Sequence, residues 1–236
     1  MFSKKIDLFN TLNNVKKTNL ITFVNPISFH SFLNYVNRKD FDLIYSDGLL
    51  LTRLHNIFFR EDKIERLSFD FSSLAGEVLS HAQKEQKTIA FVGGSEQEAL
   101  IFKEKLTIKY PELKFHCYSG FFTDENSINA IFKELNKIAP NIVICGMGYP
   151  RQEDFLVQCK KMLVTPFIGF TCGGFITQTS IKADYYFPIV KHLGLRWLQR
   201  AIMHQHVRKR LLKDYPIFLY KYIIQACKSR KELYKS

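Results

Sequence analysis

Six short apolar runs, most of them followed by a stretch of helical periodicity, restrict what this chain can fold into more than any other feature. They are "LITFV" (20–24), "FDLIYS" (41–46), "TIAFVG" (88–93), "KFHCYS" (114–119), "NIVICG" (141–146) and "PFIGFT" (166–171). Apolar residues occupy both parities of most runs, the pattern of a strand covered on both faces. Helical patterns near 27–37, 72–86, 96–109, 125–138 and 151–162 separate or follow them. Alternating strands and helices predict an α/β fold: a Rossmann-like, doubly wound, mostly parallel sheet. Hydrophobic residues make up 46% of the 236, enough for a core of that size. No internal repeat or low-complexity linker interrupts the pattern.

After Thr171 the pattern changes. No further clear strand follows, and the spacing predicts a loop, a basic helix over about 189–213 and a second helix after Pro216. From Lys182 onward there are 13 Lys or Arg against 3 Asp or Glu, whereas the first 181 residues hold 21 against 19. The chain therefore divides into an α/β core over 1–181 and a basic helical tail over 182–236. In the tail Leu195, Leu198, Ile202 and Leu211 mix with Arg196, Arg200, Arg208, Lys209 and Arg210, and "PIFLYKYII" follows. That mixture suits a helix lying on an anionic membrane surface. A helix packed on the sheet is the alternative, and a basic tail can also meet nucleic acid or a phosphorylated ligand.

The five cysteines form no CxxC pair and are odd in number, which reads as thiols in a reducing compartment. The start, "MFSKKIDLFNTLNNVKK", lacks the apolar centre of a secretory signal. No run approaches the ~20 apolar residues of a membrane span. A cytoplasmic protein is expected.

Open α/β sheets bind ligands beyond the carboxyl ends of their strands. The first strand ends at Asn25-Pro26 and the second at Asp47-Gly48. Gly93 and Gly94 follow the third, and Ser95 with Glu98 forms a capping box opening the next helix. The free N–H groups there could hold phosphate. Neither GxGxxG nor a Walker loop is present, which leaves a nucleotide-dependent oxidoreductase without its fingerprint. After the fourth strand, Thr123 or Asp124 can cap a helix. The fifth ends in "GMGYPRQEDF", with Gly146, Gly148, Pro150 suited to a first helical turn, and then Arg151, Gln152 and Glu153. The sixth opens on Gly173 and Gly174, with Gln178 behind. Such an edge suits a phosphate-bearing, hydroxyl-rich ligand such as a nucleotide sugar.

Several of these pieces, in this order, resemble the WecG/TagA/CpsF family of bacterial glycosyltransferases: "SDG" (46–48), "FVGGSEQE" (91–98), "SGFF" (119–122), "GMGYPRQEDF" (146–155) and "LGLRWLQR" (193–200). The resemblance covers about 20–210. It implies an inverting enzyme that takes a sugar from a UDP-sugar and passes it to a polyprenyl-diphosphate-linked acceptor, at the inner face of the cell membrane. It implies Asp47 as the base that takes the acceptor proton. The strand-end glycines and polar residues would line the donor pocket, and Arg200, Arg208 and Arg210 would supply cations from a tail that closes over it. Three departures are visible: "YFP" (186–188) has no arginine, "RLSFDFSSL" (66–74) lacks a glycine, and a Glu-Trp pair becomes Arg196-Trp197. They leave a hexose or another N-acetylhexosamine as open as N-acetylmannosamine. "DFD" (40–42) imitates a metal-binding Asp-x-Asp but precedes its strand, so Asp40 and Asp42 read as a solvated loop, with no metal and no other cofactor expected. A non-catalytic protein gripping nucleic acid through its tail is the alternative, and homo-oligomer formation is left open.

Overall fold

All six apolar runs become strands of one parallel sheet in the computed structural model, which describes residues 2–13, 15–181 and 205–233. In chain order they are β1 (Asn19–Val24), β2 (Phe41–Ser46), β3 (Thr88–Gly93), β4 (Lys114–Tyr118), β5 (Ile142–Gly146) and β6 (Ile168–Thr171). Their spatial order is β2-β1-β6-β5-β3-β4. Successive side chains of a strand point to opposite faces, and here both faces are apolar. Ile89, Phe91, Ile142 and Ile144 enter one core, while Ala90, Val92, Val143 and Cys145 enter the other.

Helices cover each face. The first core takes Leu8 and Leu12 from α1 (Lys5–Asn13), Val78 and Leu79 from α4 (Ala75–Lys84), and Phe102 and Leu106 from α5 (Glu96–Lys109). It also takes Phe175 and Ile176 from α8 (Phe175–Ile181). The second takes Phe29 and Phe32 from α2 (Phe29–Leu33), Leu51 from α3 (Leu49–Phe58), Phe132 from α6 (Glu125–Ile138) and Phe155 from α7 (Arg151–Met162). The capping box of Ser95 and Glu98 forms as expected, and Asp124 rather than Thr123 caps α6.

The structure corrects several helix boundaries. The stretch 27–37 yields only α2, which stops at Asn34 before a single 3-10 turn at Arg38–Asp40. The stretch 72–86 contracts to α4. The loop expected after Thr171 contains α8. Most plainly, Pro216 does not separate two helices: it lies inside α9 (Gln205–Leu233). A proline mid-helix removes one hydrogen bond and costs about 3 kcal/mol. Just beyond it Phe218, Tyr222 and Ala226 recur every fourth residue and are buried against the second core. Burying two large aromatic side chains there, at roughly 1.5–3 kcal/mol each, offsets that cost. Phe218 meets the Phe29 ring edge-on at 5.9 Å, and the Tyr222 hydroxyl lies 3.3 Å from His55 Nδ1. Phe218→Ala is expected to destabilise the fold by about 3–5 kcal/mol, read as a lowered urea midpoint. An unchanged midpoint would show that α9 is not part of the cooperative unit. The remainder of the expected 189–213 helix, 189–204, lies outside the described residues.

Candidate functional site

The chain leaves β3 toward β4 on one side and leaves β5 toward β6 on the other. Connections that diverge in this way open a crevice at the carboxyl ends, and the glycine turns stand there. Gly93 pairs with Gly146 across β3 and β5. The backbones approach so closely that a Cβ on Gly93 would lie 2.5 Å from the Gly146 carbonyl oxygen. The β4 exit is tied to the same place, since the Gly120 N–H donates to the Gly94 carbonyl at 2.9 Å. The β6 exit is tied through Cys172 N–H, which donates to the Cys145 carbonyl at 2.7 Å. At Gly148 and Gly173 an added Cβ would meet open space. Gly174 is covered by the Gln178 amide, which a Cβ there would strike.

A second cluster stands at the ends of β1 and β2. The Asp47 N–H donates to the Val24 carbonyl at 2.8 Å, which sets Asp47-Gly48 beside Asn25-Pro26. Gly48 has φ +135° and its Cα faces the Pro26 ring, a conformation and a space that suit glycine. Asn25 Oδ1 accepts from the N–H groups of Ile27 and Ser28, so its side chain shapes the turn into α2. The sequence reading passed over Arg66. A parallel bridge between Ser46 and Arg66, with Leu67 N–H donating to the Ser46 carbonyl, brings that arginine alongside β2. Its Nη2 donates to Asp47 Oδ1 at 3.1 Å, to Ser68 Oγ at 2.8 Å and to Asp70 Oδ2 at 3.4 Å. Burial pushes the Asp70 carboxyl up, but hydrogen bonds from Ser72 and Ser68 and the Arg66 charge outweigh it and hold Asp70 below the usual carboxylate range. Arg66 is thus gripped by one carboxylate while it orients the other. The departure segment "RLSFDFSSL" keeps this arginine and this aspartate despite lacking the glycine.

The first turn of α7 divides between the two sides of the wall. Pro150 is its N-cap, preceded by a cis peptide bond, and Arg151 points to solvent. Gln152 and Glu153 instead turn inward and are buried, Glu153 to 1% exposure. The Gly173 N–H donates to Gln152 Oε1 at 3.0 Å, and Gln152 Nε2 donates to Glu153 Oε1 at 3.2 Å. Thr22 Oγ1 donates to the same oxygen at 3.0 Å. Burial, with a smaller contribution from the neighbouring Asp154 carboxylate, raises the Glu153 pKa to about 7 against hydrogen bonds from Gln152, Thr22 and its own backbone.

Asp40 and Asp42 stand at the opposite, amino end of β2, where Asp40 pairs with Lys160 and Asp42 with Lys17. All five cysteines are free thiols. Arg200 lies outside the described residues. Arg208 and Arg210 belong to α9, but their side chains lie outside the described ones. No helix among the described residues is long and apolar enough to cross a membrane.

The sequence profile of the Glycosyl transferase WecG/TagA/CpsF family matches residues 8–232. The chain is similar to the UDP-Gal:alpha-D-GlcNAc-diphosphoundecaprenol beta-1,4-galactosyltransferase of Shigella boydii, at 36% identity over 213 residues, 90% of this chain and 89% of that protein. It is also similar to the N-acetylglucosaminyldiphosphoundecaprenol N-acetyl-beta-D-mannosaminyltransferase of Staphylococcus aureus strain MW2. That likeness is 25% over 152 residues, 63% of this chain and 57% of the relative. Neither likeness supports the nucleic-acid alternative.

Proposed function

The chain belongs to the glycosyl transferase WecG/TagA/CpsF family, and on that premise we propose that it transfers a sugar from a UDP-sugar to a polyprenyl-diphosphate-linked acceptor. The product would enter a cell-surface polysaccharide. The observation that carries the reading is the near-full-length likeness to a galactosyltransferase acting on diphosphoundecaprenol-linked GlcNAc. It favours a hexose, galactose first, over N-acetylmannosamine, whose transferases cover less of the chain at lower identity.

The geometry supports the chemistry. Asp47 and the Gly146–Gly148 turn stand three strand spacings apart, about 14 Å. One ligand reaching both must be elongated, as a nucleoside diphosphate sugar is. The acceptor hydroxyl attacks the anomeric carbon, a new C–O bond forms, and the bond to the UDP oxygen breaks with inversion. Asp47 takes the hydroxyl proton, with its carboxylate oriented by Arg66. Departing UDP carries growing negative charge, which the amino end of α5, the turn before α7 and the cations Arg200, Arg208 and Arg210 would meet. Asn25, Gly48, Gly93, Gly94, Gly173, Gly174 and Gln178 complete the walls.

The tail over 182–236 would face the inner surface of the membrane while α9 stays docked on the core through its buried stripe. Opposite its buried stripe, α9 exposes Ile217, Tyr220 and Ile224, with Lys221 and Lys228 among them. Apolar and basic groups on one exposed side are what an anionic interface binds.

UDP release tests the proposal. UDP-galactose, UDP-glucose, UDP-N-acetylglucosamine and UDP-N-acetylmannosamine would be offered with an N-acetylglucosaminyl diphosphoundecaprenol acceptor, with and without anionic vesicles. Acceptor-dependent release is expected, fastest with UDP-galactose and faster with vesicles. No release from any donor would sink the transferase reading, and indifference to vesicles would sink the membrane role of the tail.

A further inference from the structure

Glu153 ends two hydrogen-bond chains that run in one direction. In the first, Phe23 N–H donates to Thr171 Oγ1 at 3.3 Å, Thr171 Oγ1 to Thr22 Oγ1 at 3.1 Å, and Thr22 Oγ1 to Glu153 Oε1. In the second, Gly173 N–H donates to Gln152 Oε1, and the Gln152 amide donates to the same Glu153 oxygen. The first chain ties β1 to β6 and the second ties the turn after β6 to the start of α7. Both turns border the crevice. Glu153 Oε2 is buried and has no hydrogen-bond partner.

We propose that Glu153 is a positioning residue for the donor site: as the shared acceptor of both chains it fixes the Gln152 carboxamide and, through it, the Cys172–Gly174 turn. This rests on the transferase reading of the crevice. Glu153 itself does not reach the ligand. A neutral carboxyl suits the place, because ionisation would put charge on Oε2 in a buried setting without a donor. The titratable groups that feel Glu153 from other elements are Tyr35, Tyr149 and Cys145, all with pKa values raised by burial, so none supplies a compensating cation near neutrality. Its own helix adds Asp154, which opposes ionisation. Raising the pH therefore ionises Glu153; the two donors on Oε1 favour that charge, but Oε2 is buried without one, and hydrating it draws the carboxylate out of the cluster and slackens the turn it holds.

The test is calorimetric binding of UDP to wild type, Glu153→Gln and Glu153→Leu at pH 6, 7 and 8. Comparison at equal pH cancels the titration of UDP itself. With the carboxyl titrating near 7, about one molecule in ten keeps the proton at pH 8. Wild type should then bind about tenfold more weakly than Glu153→Gln at pH 8 and equally at pH 6. Glu153→Leu, which strands both donor chains, should bind about tenfold more weakly at every pH. The same proton makes stability pH-dependent. The folded chain keeps a proton that the unfolded chain releases near 4.5. The stabilisation is complete below 4.5 and is lost as pH rises through about 7. Wild type should therefore lose Tm relative to Glu153→Gln between pH 5 and 8. Equal UDP affinity of wild type and Glu153→Gln at pH 6 and 8 would overturn the inference, and so would unweakened binding by Glu153→Leu. If Glu153→Leu fails to fold, the Gln comparison still decides. Wild type that binds no UDP at any pH would remove the donor reading itself, and the inference with it.

Discussion

Replacing Asp47 with Asn is expected to cut acceptor-dependent UDP release by about a hundred- to ten-thousandfold while leaving UDP-sugar binding close to wild type. The magnitude is that of a lost general base. The substitution is nearly isosteric, and the new carboxamide oxygen can still accept from Arg66, so the fold around it should stand. Asp70 provides the control. It lies on the same arginine but is engaged by Ser68, Ser72 and Arg66 together. Asp70→Asn should therefore slacken the arginine and reduce turnover far less than Asp47→Asn. A collapse in Asp70→Asn with turnover intact in Asp47→Asn would reverse the two assignments. Undiminished release in both would mean that some other group takes the proton.

The asymmetry between those two carboxylates shows what the sequence could and could not disclose. Strands were legible because burial on both faces writes itself into consecutive apolar residues, as in "NIVICG". The order of the strands, and so the position of the crevice, was not legible: strand-helix alternation requires parallel connections but allows several orders, and only the structure gives β2-β1-β6-β5-β3-β4. The contact of Arg66 with Asp47 was not legible. Nineteen residues separate them, and only the isolated bridge at Ser46 sets them side by side. Nor could the first turn of α7 be resolved into inward and outward residues. Adjacent positions on a helix differ by about 100°, so "RQE" can present any of its three side chains to the crevice. Packing against Thr22 and Gly173 turns two of them inward. Helix α3 was legible and passed over: Leu50, Leu51, Leu54 and Phe58 fall at helical spacing and pack on one core. Helix α1 was missed because four apolar residues in nine give no clean periodicity, and its stability comes from the core it covers. Pro216 misled for the opposite reason: the local signal was strong, and the aromatic stripe following it overrode it.

That reliance on tertiary contact is greatest where the glycines meet, and a single methyl group should expose it. Gly93→Ala is expected to destabilise the protein by about 3 kcal/mol or more, at the upper end of overpacking effects. For a chain of this length that lowers Tm by roughly 6–12 °C. The new Cβ would sit 2.5 Å from the Gly146 carbonyl oxygen and 2.9 Å from its carbon, both backbone atoms, and 2.9 Å from Ile176 Cδ1. Ile176 could move, but the paired strands cannot part without losing the β3–β5 register. Any relief must push the Gly146–Gly148 turn outward into the crevice, so donor binding should weaken along with stability. Gly76→Ala separates this from a general glycine effect. Its Cβ would meet nothing nearer than Tyr110 Oη at 3.9 Å, and within α4 alanine should be neutral or stabilising by about 0.5–1 kcal/mol. If Gly93→Ala melts with wild type, the close approach of β3 and β5 is wrong, and with it the floor on which the donor site is drawn.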